Sequence, residues 1–154
     1  MRNKIIFLFF FFIFLVTECN KPEILLYNKN KLKNIKIIKL NKIEINTLNF
    51  DPFIKKDIEN ILNFKLSEAG YEVKRNTSVD SNYDAELNFY LSHRKFFKGI
   101  NDTENITIDL KIKDRFNNTI GEVFFTDVEE NDILNTVKLK EYISKMIYKL
   151  KKIK

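Results

Sequence analysis

The chain has 154 residues, 44% of them hydrophobic and 31% charged, with a formal net charge of +6 at pH 7. One cysteine, one histidine and three scattered glycines exclude a disulfide framework, a histidine-based metal site and a glycine-rich phosphate loop. The charge is uneven. Residues 19–42 carry seven lysines and one acid, and residues 138–154 again seven lysines and one acid, whereas 43–137 hold eleven basic and eighteen acidic residues. No helix-turn-helix, zinc or RNA-binding signature accompanies this charge, so nucleic acid is not an expected partner. The basic ends read either as contacts for anionic lipid or as solvated termini.

The N-terminus has the layout of a secretory signal. Arg2 and Lys4 precede twelve unbroken apolar residues, Ile5 to Val16, and the polar group Thr17, Glu18, Cys19, Asn20 follows. Twelve helical residues cover only about 18 Å, too little for roughly 30 Å of hydrocarbon. The run Leu15-Val16-Thr17-Glu18-Cys19 resembles a bacterial lipoprotein signal, cut before a cysteine whose sulfur carries diacylglycerol. Lipid attachment at Cys19 is therefore expected, with ordinary cleavage and an uncleaved N-terminal anchor as alternatives. An exported cysteine without a partner is otherwise an odd free thiol. Residues 1–18 are assigned as signal peptide, 19–33 as a lysine-rich, lipid-anchored tether and 34–154 as the exported domain.

The domain begins with "NIKIIKLNKIEINTLNF", whose isoleucine alternations (Ile35 with Ile37, Ile43 with Ile45) predict one or two strands. Asp51 and Pro52 open a helix as N-cap and first-turn proline. Ile54, Ile58, Ile61, Leu62, Leu66 and Ala69 share its apolar face, and Gly70 ends it. A short strand "YEVKR" and a polar loop "NTSVDSNY" follow. In "DAELNFYLS", Ala85, Leu87, Phe89 and Leu91 point one way and Glu86, Asn88 and Tyr90 the other. "NITIDLKIKD" repeats the alternation with Ile106, Ile108, Leu110 and Ile112 inward. Asn117 and Asn118 then suit a hairpin turn into "IGEVFFTDV". The last stretch, from Asn131 onward, reads as a helix with Leu139, Tyr142, Ile143, Met146, Ile147 and Leu150 on its apolar face. The predicted fold class is α+β, a two-layer sandwich in which a mainly antiparallel sheet packs against two amphipathic helices.

Nothing in these elements assembles a catalytic constellation, and neither an enzymatic activity nor a cofactor is expected. His93 reads as a surface residue beside Arg94 and Lys95. The acidic group Asp127, Glu129, Glu130 and Asp132 lacks calcium-loop spacing and reads as a solvated loop, not a metal site. The candidate binding segment is "HRKFFKGIND", in which Arg94, Lys95, Phe96, Phe97 and Lys98 set two rings among three cations. Such a loop can bury apolar area while its cations meet phosphates; the alternative is that Phe96 and Phe97 end a strand and pack beneath a hairpin.

From about Ile43 onward the chain resembles the lipopolysaccharide (LPS)-assembly lipoprotein of Gram-negative outer membranes, which plugs and assists a β-barrel translocon. The resemblance rests on the exported cysteine, the capped helix ending in "LSEAGYEV", the strand opening "DAELNFYLS", the long hairpin "NITIDLKIKDRFNNTIGEVFF" and the terminal amphipathic helix. It implies an outer-membrane location and partnership with a β-barrel protein or LPS, with Arg94, Lys95 and Lys98 in the basic loop facing the glycolipid. Other small exported lipoproteins share the topology. A surface-displayed adhesin or host-interaction lipoprotein is the alternative function.

Overall fold

Alternation with period two on three consecutive strands creates a sheet with one apolar side, and that side needs a cover. The computed structural model describes residues 21–47, 51–75, 82–98, 101–129 and 134–153, with backbone only at 97, 98, 101, 102 and 129. The predicted signal peptide and Cys19 lie outside the described residues. In chain order the elements are β1 (Glu23–Leu26), α1 (Lys29–Lys33), β2 (Ile37–Asn46), α2 (Pro52–Glu68), β3 (Glu72–Arg75), β4 (Ala85–Lys98), β5 (Asn101–Asp114), β6 (Thr119–Glu129) and α3 (Thr136–Lys151). The strands form one six-stranded sheet in the order β1-β6-β5-β4-β2-β3. Pairing is antiparallel from β1 through β4, while β2 runs parallel to both β4 and β3. The two-layer α+β sandwich is as the sequence predicts, with a short third helix added.

The inward row consists of Ala85, Leu87, Phe89 and Leu91 on β4, Ile106, Ile108, Leu110 and Ile112 on β5, and Val123 and Phe125 on β6, all buried. Against it lie Ile58, Leu62 and Leu66 of α2 and the entire predicted face of α3. The two long helices run side by side in the same direction. Thr136 in the first turn of α3 donates its hydroxyl to Asp57 near the start of α2, at 3.2 Å.

Local chemistry sets the helix ends where the sequence placed them for α2. The Asp51 carboxylate accepts from the Phe53 N–H at 2.9 Å. At the other end Gly70 takes φ +88°. The Gly70 N–H reaches the Ser67 carbonyl (3.0 Å) and the Tyr71 N–H reaches the Leu66 carbonyl (3.1 Å), so two end carbonyls are satisfied together. The last helix starts later than expected: Asn135 caps it by accepting from the Lys138 N–H at 2.8 Å, and Thr136 is its first residue. The hairpin turn behaves as predicted, with Asn117 at φ 66°.

Two segments depart from expectation. Residues 23–33, predicted as part of a tether, build β1 and α1 instead. Ile24 packs on the core beside β6, and Leu32 is 5% exposed, its side chain filling the space left at Gly121. A patch this apolar gains more from covering the end of the sheet than from staying in water. The β2 segment is one strand, not two, but carries a bulge at Asn41. The extra residue switches the inward parity from Ile38 and Leu40 to Ile43 and Ile45, which is why the alternation in the sequence appears broken.

Asp127 also departs from expectation. It is not in a solvated loop but 4% exposed in β6, where it accepts the Tyr142 hydroxyl at 2.8 Å and the Val128 N–H at 2.9 Å. Burial, followed by the bond to Asp127, pushes the Tyr142 hydroxyl above its ordinary pKa, so it remains a donor throughout the physiological range. Tyr142→Phe removes that donor from a buried carboxylate and is expected to cost about 1–3 kcal/mol. Urea denaturation measured against wild type checks this.

Candidate functional site: the hairpin end and the open sheet face

The binding segment predicted from the sequence is not a loop. β4 continues through it to Lys98 and pairs residue for residue with β5, Arg94 opposite Asn105, Lys95 opposite Glu104, Phe96 opposite Thr103, Phe97 opposite Asp102 and Lys98 opposite Asn101. Arg94 and Phe96 are exposed, and Lys95 lies 3.5 Å from the Glu104 carboxylate. Phe97 and Lys98 are placed by their backbone, next to each other at the far end of the strand. All five predicted residues thus share one stretch of strand.

His93, expected at the surface, is a strut. Its side chain is 12% exposed, with Nδ1 3.0 Å from the Thr47 hydroxyl and Nε2 3.3 Å from Glu104. It ties the segment after β2 to the base of the protruding hairpin. The alternation of β4 carries the signal for this, because His93 falls two residues after the inward Leu91.

A second candidate was not legible from residue types. Among the described residues all three helices lie on one side of the sheet, and none covers the other. On it a groove is lined by Glu44, Asn46, Tyr90, Thr107, Asp109 and Phe124. A charged chain borders the groove: Lys111 lies 3.0 Å from Asp109 and 3.5 Å from Glu122, and the Tyr27 hydroxyl donates to Glu122 at 3.3 Å. The Lys111 ammonium also sits 5.7 Å from the Tyr90 ring centroid. Asp109 Oδ1 is buried and has no hydrogen-bond partner. Burial pushes the Asp109 carboxyl up and repulsion from Glu122 adds to the rise, while Lys111 opposes both; the result is about 6. At the end of the sheet where the β5–β6 turn lies, Asp114 is the reverse case. Lys31 at 2.8 Å, helped by N–H groups of Asn118 and Phe116, holds it down at about 2.

Among the described residues no three metal-ligating side chains converge, and no helix is long and apolar enough to cross a membrane. What the open face can do chemically is receive a partner that offers a donor or cation to Asp109 and an apolar or sugar-like surface to Tyr90 and Phe124.

No family model and no curated protein matches the sequence. Among solved structures, the PelC dodecamer from Paraburkholderia phytofirmans is similar with a TM-score of 0.62 and 12% identity, over 86% of this chain and 97% of that one. The lipoprotein GNA1162 from Neisseria meningitidis is more loosely similar, with a TM-score of 0.47 and 14% identity over 75% of this chain and 96% of that one. At 12% identity the likeness to PelC is one of fold alone.

Because folding raises the pKa of Asp109, the folded state holds its proton more tightly than the unfolded chain does. Stability therefore falls as pH rises from about 4 through 6, and the ionised carboxylate is a standing cost at pH 7.5. Asp109→Asn is expected to melt higher than wild type at pH 7.5, the gap closing toward pH 4. Thermal melts across that range check the sign.

Proposed function

We propose that this protein is a non-enzymatic lipoprotein of a bacterial outer membrane, held by lipid on Cys19, which binds a protein partner or a glycolipid such as LPS during envelope assembly. The observation that carries this reading is the uncovered side of the sheet, with a groove, two aromatic rings and an orphaned carboxylate oxygen. A sheet side left open in water is ordinarily lined with small polar and charged groups. This one keeps Tyr90 and Phe124 beside a carboxylate that pays for its ionisation, which is the composition of a receiving surface. The signal layout of residues 1–19 is what supports the location.

A second reading, in which the open side meets another copy of the chain, is favoured by the dodecameric state of PelC. Sedimentation of the detergent-solubilised protein separates the two: a monomer carrying a bound partner fits the first, a ring of like copies the second.

The primary test is metabolic labelling with a clickable fatty acid. Label is expected on wild type and not on Cys19→Ala, which should leave the membrane fraction. Crosslinking in intact cells is expected to join positions on the open side to a β-barrel protein or a glycolipid. Crosslinks to neither, together with cleavage by protease added outside the cells, favour the adhesin alternative.

A further inference from the structure

We infer that the groove on the open side of the sheet binds the uncharged saccharide chain of a glycolipid, laid across β2, β4, β5 and β6 with its sugars over Tyr90, Asp109 and Phe124. This rests on the envelope-assembly reading and names the ligand class of its groove: the sugars of the glycolipid and not its phosphates.

The sheet register builds two rows that run across the strands. Glu44, Tyr90, Asp109 and Phe124 are cross-strand neighbours and form the first. Two residues further along each strand, about 7 Å, Asn46, Ser92, Thr107 and Thr126 form the second. Cross-strand partners share a side, and alternation against the buried Leu91, Ile108 and Phe125 puts both rows on the side away from the helices. All of these residues except Thr126 line one groove of about 490 Å³, a size suited to a small ligand or a few units of a chain.

The spacing of the first row suits sugars. Adjacent strands lie about 4.8 Å apart, so Tyr90 and Phe124 stand about 10 Å apart with Asp109 between them. One pyranose advances an extended glycan by about one strand spacing. A chain crossing the strands therefore brings alternate sugars over the two rings and the sugar between them over Asp109. Phe124 is 37% exposed and offers its ring to the apolar face of a sugar. The second row meets the sugar edges with an amide and three hydroxyls on successive strands. Each of these groups can both donate and accept, as a polyhydroxyl ligand requires at every step. A folded protein partner seldom presents so dense a line of hydroxyls.

Charge narrows the ligand further. Two carboxylates, Glu44 and Asp109, line the groove, and among the described residues no basic side chain does. The nearby cations are engaged: Lys111 is shared by Asp109 and Glu122, and Lys42 pairs with Glu44. A phosphate or uronate in the groove would meet like charge. An uncharged saccharide avoids that repulsion, and its hydroxyls donate to the carboxylates.

The test uses the full lipidated chain, held in detergent by a C-terminal tag. Membrane glycolipid of the producing bacterium is cleaved by mild acid into its saccharide chain and its phosphorylated lipid, and the saccharide is freed of phosphate with hydrofluoric acid. Wild type should retain the saccharide and neither the phosphorylated lipid portion nor dextran. Tyr90→Ala and Phe124→Ala should each weaken retention about tenfold. Thr107→Val, nearly isosteric, should weaken it as well and decides the matter should a ring variant fail to fold. Phe116→Ala, an exposed ring outside the groove, should change nothing. Retention of the phosphorylated lipid alone, equal retention of dextran, no retention of the saccharide, or retention indifferent to the groove variants overturns the inference. The two readings fail separately. Crosslinks from the open side to a β-barrel protein with no saccharide retained remove the ligand and leave the assembly role, whereas retained saccharide with no lipid on Cys19 does the reverse.

Discussion

Everything in this molecule depends on the contact between one side of a sheet and two parallel helices. The inward row of β4, β5 and β6 is apolar at every step from Ala85 to Leu91 and from Ile106 to Ile112, so those strands cannot exchange sides without putting the whole row into water. That constraint fixes the register of the long hairpin, which in turn sets how far it projects beyond the helices. Among the described residues the opposite side of the sheet has no such cover, because both long helices turn their apolar faces to the same side.

Most of the architecture could be read from periodicity and local chemistry, since α2 and the β4–β5–β6 hairpins are specified by neighbours in sequence. Asp51, Pro52 and Gly70 mark α2 by their backbone preferences, and Asn117 marks its turn by tolerating positive φ. What escaped depended on distant partners. The Asn41 bulge is invisible as an insertion until β4 fixes the register, and β1 becomes a strand only because β6 offers an edge for it. Asp127 and His93 fell between these cases. Each continues an inward alternation by one more step, with a polar side chain where the pattern otherwise places an apolar one.

The candidate site divides along the same line. The cluster of Arg94, Lys95, Phe96, Phe97 and Lys98 was conspicuous because its residue types are adjacent in the chain, although its form is strand and not loop. The groove beside Asp109 brings together residues from β2, β4, β5 and β6, and no short window of sequence contains it. Asp109 itself is outward by alternation, and only its packing against neighbours from other strands makes its carboxylate costly to ionise.

Edge pairing of β1 with β6 has a kinetic consequence. Tyr27 meets Glu122 across 95 residues of chain, so the first strand has nothing to hold until nearly the whole polypeptide is present. Closing so large a loop is slow and entropically costly, and it delays completion of the sheet. Late closure leaves β1 without its partner until β6 has been made, so the edge of the sheet is the last part of it to form.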